Sequence, residues 1–171
     1  MRHVAGARGA ASITVDDLIM GLIIEDQDPD VRLLRGFGAP VNSMFPTMPR
    51  PKARRPFFSP AAAVYVLAGL YEALPRSPAE PDNVEIPMSP ELVHVIQVAN
   101  ALLAQYQQQP VDVHGQSVRA MVPLDLLAAA LQERCEGTKL LQSVGVTEEK
   151  VTEMIKRGGD LENWNPPEAP K

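Results

Sequence analysis

The side chains that could carry chemistry are few and scattered. Cys135 is the chain's one cysteine, so no disulfide can form within the chain. A catalytic thiol needs a base and an orienting group held beside it. No histidine lies near Cys135 in sequence, and its place on the polar side of a helix end suits a structural cysteine. His3, His94 and His114 stand singly, without the paired Cys and His spacing of a zinc site. Gly137-Thr138-Lys139 is the nearest fragment to a phosphate-binding loop. It lacks the upstream glycine and inverts the Gly-Lys-Ser/Thr order, so it reads as a loop between helices. The acidic pairs Glu25-Asp26 and Glu148-Glu149 fall at helix termini, where capping accounts for them. These residues point to no enzyme, no metal and no cofactor.

Composition narrows the class further. The 171 residues suit one ordinary domain or two small halves sharing a core. Hydrophobic residues at 45% and charged ones at 22% exclude a wholly disordered chain, a collagen-like fibre and a coiled-coil rod. The 17 prolines are about twice the usual share and fall in clusters that read as connectors. A net charge of −5 disfavours general nucleic-acid binding, which depends on phosphate neutralisation by Lys and Arg. No run reaches the roughly 18 apolar residues of a membrane span. Residues 1–15 lack the apolar stretch of a signal peptide, so the expected compartment is the cytosol.

The elements that must position any site are helical. Thr14 is placed to cap a helix with Asp16 and Asp17 in its first turn, followed by Leu18, Ile19, Leu22 and Ile23 at helical spacing. A shorter helix is expected over 30–35. Residues 39–58 form a Pro-rich connector, locally basic at Arg50, Lys52, Arg54 and Arg55. Ser59-Pro60 opens a helix by placing a cap residue before a first-turn proline. Its body, Ala61 to Ala73, is apolar on nearly every side, which predicts a helix buried all round. Residues 75–88 are a second connector. Ser89-Pro90 repeats the start signal, and Leu92, Val95, Ile96, Ala99, Leu102, Leu103 and Tyr106 mark an amphipathic helix. His94 falls off that stripe, as a solvent-facing or rim histidine would. Residues 110–121 read as a loop with room for a short extended piece. Helices are then expected over 123–132, around Leu140-Leu141, and after the cap Thr147. Val146 and Val151 stand as a hydrophobic staple there, with Gly158 as C-cap. The tail from Asp160 is poor in apolar residues and reads as mobile, with Trp164 an isolated aromatic or a docking anchor. The expected fold class is all-α.

Two segments are versions of each other. Asp17-Leu18-Ile19-Met20-Gly21-Leu22-Ile23-Ile24-Glu25 aligns with Asp125-Leu126-Leu127-Ala128-Ala129-Ala130-Leu131-Gln132-Glu133. After one dropped residue, Leu33-Leu34 with Gly38 meets Leu140-Leu141 with Gly145. Repetition of this kind lets each half bury its apolar face on the other. On these residues the chain resembles the double Clp N-terminal domain, the docking module at the front of Clp-type unfoldases. Ile13 to Ile23 is similar to that family's first-repeat helix, with Gly9 where its loop glycine sits. Met121 to Leu131 is similar to the second-repeat helix, Ile86 to Leu92 to the entry into that repeat, and Leu140 to Val146 to its Leu-Gly-Val element. Residues 42–85 and about 108–120 are added material relative to the family. Asp17 and Asp125 stand where the family usually has His. The chain begins where the family's first helix is already under way, so that either this helix is shortened or the true start lies upstream.

The resemblance implies two pseudo-repeated four-helix units with Pro-rich connectors. Repeat one would cover about 1–45, a connector and extra helix 46–88, and repeat two 89–158, with a flexible tail over 159–171. It also implies a non-catalytic protein-binding module, an accessory or adaptor in Clp-dependent proteolysis. Its partners would be a Clp unfoldase, the peptidase core, an adaptor or degradation substrates. Family members use the acid before that His to recognise phosphorylated arginine or basic groups. Asp16 keeps an acid there, whereas repeat two has Leu124, and a carboxylate alone can pair twice with a guanidinium. The implied partner-binding residues are Asp16, Asp17 and, in the second half, Asp125. The plainer role for Asp16 is a first-turn acid facing the helix dipole. Two alternatives stand beside the docking reading: a helical scaffold acting through a homo-oligomer, and a nucleic-acid-associated protein using the strip 50–55.

Overall fold

The computed structural model describes residues 1–28, 56–81, 83–105, 111–113, 116–118, 121–157 and 164–171. The helix expected over 30–35, the basic strip 50–55, His114 and Gly158 lie outside the described residues. Within them the chain is helical: α1 (Arg2–Ala7), α2 (Val15–Gln27), α3 (Pro60–Ala73), α4 (Pro90–Gln105), α5 (Pro123–Ala130), α6 (Glu136–Ser143) and α7 (Glu148–Lys156). The extended piece foreseen near 110–121 is a small antiparallel hairpin, β1 (Val111–Val113) and β2 (Gln116–Val118), with Val111 opposite Val118. No helix among the described residues is long and apolar enough to cross a membrane.

Helix α2 is the hub of the bundle. Thr14 caps it by a reciprocal box with Asp17, and its core residues Leu18, Ile19, Leu22 and Ile23 are buried. It packs against α1, α3, α4, α5 and α6. Just before it, Ile13 pairs with the second connector. The Ile13 N–H donates to Pro87 O at 2.8 Å, and the Ser89 N–H donates to Ile13 O at 2.9 Å. Ser89 then caps α4 through the Leu92 N–H at 3.2 Å, so the entries to α2 and α4 are fixed side by side. Helix α4 buries Leu92, Val95, Ala99 and Leu103 of the expected stripe, with Ile96 and Leu102 half-buried and Tyr106 outside the described residues. It packs on α5, all of whose residues are buried. The foreseen staple residues Val146 and Val151 are both fully buried.

The second connector is laced to α1 rather than free of it. Ser77 and Glu80 donate their N–H groups to Arg8 O and Gly6 O, each at 2.9 Å. Arg2 Nη2 donates to Pro81 O at 2.7 Å and also to Val84 O. Gly9 makes this approach possible. Its φ is +66°, and a Cβ there would lie 2.3 Å from Pro78 O, so position 9 excludes a side chain on both backbone and steric grounds.

Two expectations are corrected. Helix α3 is not buried all round: Ala62, Ala63, Val66 and Leu70 face the core, while Val64 is 65% and Tyr71 61% exposed. An apolar composition shows that a helix can be buried, but not that neighbours exist to cover every face. The segment Trp164–Pro167 is also anchored where composition predicts mobility. Trp164 stacks on Phe57, with ring centroids 4.6 Å apart and an interplanar angle of 19°. Its Nε1–H donates to Phe57 O at 2.7 Å, and Ser59 Oγ donates to Pro167 O at 2.6 Å. Phe57 is held in turn by Asp26 at the end of α2, whose carboxylate accepts the Phe57 and Phe58 N–H groups at 2.8 and 2.9 Å.

Trp164 is the chain's one tryptophan, so intrinsic fluorescence reports this contact directly. Blue-shifted emission with low acrylamide quenching is expected for the native chain. Phe57→Ala should shift the emission towards that of exposed indole, and emission already at the exposed wavelength in the native chain would contradict the docking.

Candidate functional site

The acids at the start of α2 are engaged by the fold itself. Asp17 is fully buried. One carboxylate oxygen accepts Arg8 Nε at 2.8 Å, and the other accepts Arg8 Nη2 at 2.7 Å, the Thr14 N–H at 2.8 Å and Thr14 Oγ1 at 2.9 Å. This two-pronged pairing is the strong geometry for arginine and carboxylate. It raises the Arg8 pKa above its ordinary value, chiefly through the hydrogen bond to Asp17, against the opposing effect of burial. Asp16, 9% exposed, reaches across the bundle, and its Oδ1 accepts the Gly137 N–H at 2.7 Å. Gly137 lies in the first turn of α6, where helix N–H groups lack internal partners and the dipole favours a negative charge. A Cβ at Gly137 would lie 2.7 Å from Ile19 Cδ1 and 2.9 Å from Asp16 Oδ1, so a glycine is what permits the contact.

In the second half, Asp125 is fully buried and accepts the Val122 N–H at 3.0 Å. Asp17 and Asp125 thus serve their own helices in the same way, each accepting the N–H of the cap residue three positions earlier. The structure brings Asp16 and Asp17 together at one helix start and leaves Asp125 at another. Asp17 and Asp125 are fully buried, so contact of either with a partner would require the fold to open around it, whereas Asp16 is 9% exposed and uses one carboxylate oxygen for the Gly137 N–H.

Cys135 sits next to this cluster as the cap position of α6. Burial pushes its thiol up to about 11, with the charge of Asp16 adding and the bond to the Thr138 N–H opposing. A thiol so raised is not a nucleophile at neutral pH. His94 is on the rim, as expected, 3.8 Å from Glu133. Among the described residues no group of three or more His, Cys, Asp or Glu side chains could hold a metal ion.

Two open surfaces among the described residues stand out. One is a groove of about 290 Å³ where α1, α2 and α3 meet, lined by Val4, Met20, Ile24, Leu70, Leu74 and the side of Tyr71, with His3, Arg8 and Arg76 at its edge. It continues into the uncovered face of α3, where Ala61, Val64, Tyr65, Ala68 and Tyr71 are exposed at helical spacing. The other, about 780 Å³, lies between α7 and the strap Trp164–Pro167, and its wall mixes Glu149, Lys150, Glu153 and Arg157. Sequence reasoning missed the α3 face, although the i, i+3, i+4, i+7 spacing of Ala61, Val64, Tyr65 and Ala68 was there to find. Compared with known proteins, the chain matches no family model and no curated protein. The resemblance to Clp N-terminal domains rests on the residues quoted for it.

Two outcomes follow from the cluster. Asp17→Ala leaves the Arg8 guanidinium largely buried without its partner, so a loss of about 3–5 kcal/mol is expected by urea denaturation. The double variant Arg8→Met/Asp17→Ala should cost less than the sum of the single changes. Cys135, with its pKa two units above the ordinary 9.0, should react with iodoacetamide at pH 8 about a hundredfold more slowly in the folded chain than in denaturant. Equal rates would contradict the shift.

Proposed function

We propose that this chain is a non-catalytic protein-binding module, similar to the docking N-domain of Clp unfoldases. In this reading it is an adaptor or accessory protein in Clp-dependent proteolysis, built as two pseudo-repeats and working in the cytosol. The observation that supports it is the uncovered face of α3. Exposed apolar side chains in a contiguous strip are characteristic of interaction surfaces, and from Pro60 to Tyr71 this helix carries no charge. Val64, Tyr65 and Tyr71 would form the contact, with Ala61 and Ala68 letting a partner approach closely. Tyrosine suits such a role because it offers a large apolar body with a polar tip. Asp16, Asp17 and Asp125, in this reading, hold the helices that present the face.

A second reading draws on the same strip. An uncharged apolar face is self-complementary, so two copies could pair through α3 about a twofold axis, as the scaffold alternative requires.

One experiment separates the two. A photo-reactive phenylalanine replaces Tyr65 in the tagged full chain in its native host, and cross-linked products are identified by mass spectrometry. Capture of a Clp unfoldase, its peptidase or degradation substrates, reduced about tenfold by Val64→Asp, is the expected result. Cross-links to further copies of this chain alone would overturn the adaptor reading in favour of self-association.

A further inference from the structure

The groove that continues the α3 face has a charge opposite to that of the chain around it. Its walls are apolar: Met20 and Ile24 from α2, Leu70 from α3, and Leu74 just beyond it. Its basic lining residues are His3, Arg8 and Arg76, and no Asp or Glu lines it, in a chain of net charge −5. Glu25 and Glu72, next in sequence to Ile24 and Tyr71, do not line it. Arg8 is neutralised by Asp17, 2.7 Å away. Arg76 is not so engaged. Its guanidinium carbon lies 2.9 Å from the centroid of the Tyr71 ring, and Nη2 donates to Tyr71 O at 3.1 Å. Stacking on the ring holds the guanidinium plane at the groove mouth while leaving Nε and Nη1 without a protein acceptor among the described residues.

We propose that this groove binds a peptide segment presenting a large apolar side chain next to a carboxylate. The inference rests on the docking reading above and names the chemistry of the partner at one end of that surface. A volume of about 290 Å³ is at the lower edge of ligand pockets and suits one or two buried side chains of a peptide. The apolar side chain would displace water from Met20, Ile24 and Leu74, above the buried Leu70. The carboxylate beside it would accept from Arg76, and charge-assisted bonds of this kind are the strong ones. A basic partner gains nothing at this mouth and meets Arg76 as a like charge. The groove therefore selects acidic-apolar segments, the opposite preference to that implied by an exposed Asp16.

The test uses two fluorescein-labelled peptides in the same Gly-Ser frame, one carrying Glu-Leu-Phe-Glu and the other Lys-Leu-Phe-Lys, titrated with the full chain by anisotropy. The acidic peptide is expected to bind about tenfold more tightly, with the preference shrinking at high salt. Arg76→Glu should remove the preference, and Ile24→Asp, at a position 47% exposed, should weaken both peptides without unfolding the chain, as checked by circular dichroism. Equal binding of the two peptides, or no effect of Arg76→Glu, overturns the acidic preference and leaves the docking reading standing. No binding of either peptide, with α3 cross-links to Clp partners retained, overturns the groove as a site. Loss of both binding and cross-links removes the docking reading itself.

Discussion

The bundle depends on what two adjacent carboxylates do at the first turn of α2. Asp17 closes the cap of its own helix and grips Arg8, which ties the end of α1 to the start of α2. Asp16, one residue earlier, turns to the other side and accepts the first-turn Gly137 N–H of α6, 121 residues away. Successive residues in a first helical turn point in different directions, so neighbouring acids can serve two different elements. Buried carboxylates are costly unless their oxygens are satisfied. Here Asp17 receives four donors, and Asp16 faces a helix start whose dipole favours it. The N-terminus of α2 therefore fixes α1, α2 and α6 relative to one another before the larger apolar contacts of α4 and α5 are counted.

The opposite end of α2 uses the same device. Asp26 accepts two consecutive N–H groups, those of Phe57 and Phe58, and so holds the chain just before α3. Phe57 then provides the surface on which Trp164 stacks. One helix thus carries a carboxylate at each end, the first organising α1 and α6 and the last organising the start of α3 and the C-terminal strap. Among the described elements α3 packs on α2 and α6, the two elements that Asp16 joins, and the face that carries Val64, Tyr65 and Tyr71 is exposed.

Much of the fold was legible because its signals are local. The caps Thr14, Ser59, Ser89 and Thr147, the prolines at the first turns of α3, α4 and α5, and the apolar stripe of α4 are read within a few residues, and each element follows. Asp16 and Asp17 were visible as first-turn acids for the same reason. Their partners were not. Nothing in a single sequence joins Asp16 to Gly137, or Trp164 to Phe57 across 107 positions, because such contacts depend on how elements pack. The misreading of α3 has the same origin. Its apolar residues on every side matched a central helix, whereas which of its faces is covered depends on how α2 and α6 pack against it.

Burial also bears on how such a chain could recognise a partner. A carboxylate that already accepts an N–H at 2.7 Å and is 9% exposed offers an incoming guanidinium little room, and a two-pronged pair would compete with that bond, whose loss would leave the α6 start without its acceptor. The gain from the new pair would then be set against a buried donor left unsatisfied, a loss of about 1–3 kcal/mol. Apolar contact carries no such conflict. Val64, Tyr65 and Tyr71 are already in water, and covering them removes apolar surface at about 25 cal/mol per Å² without disturbing an internal bond. In the docking reading, these energetics point to the exposed face of α3 and its adjoining groove, with the buried acids keeping that face in place.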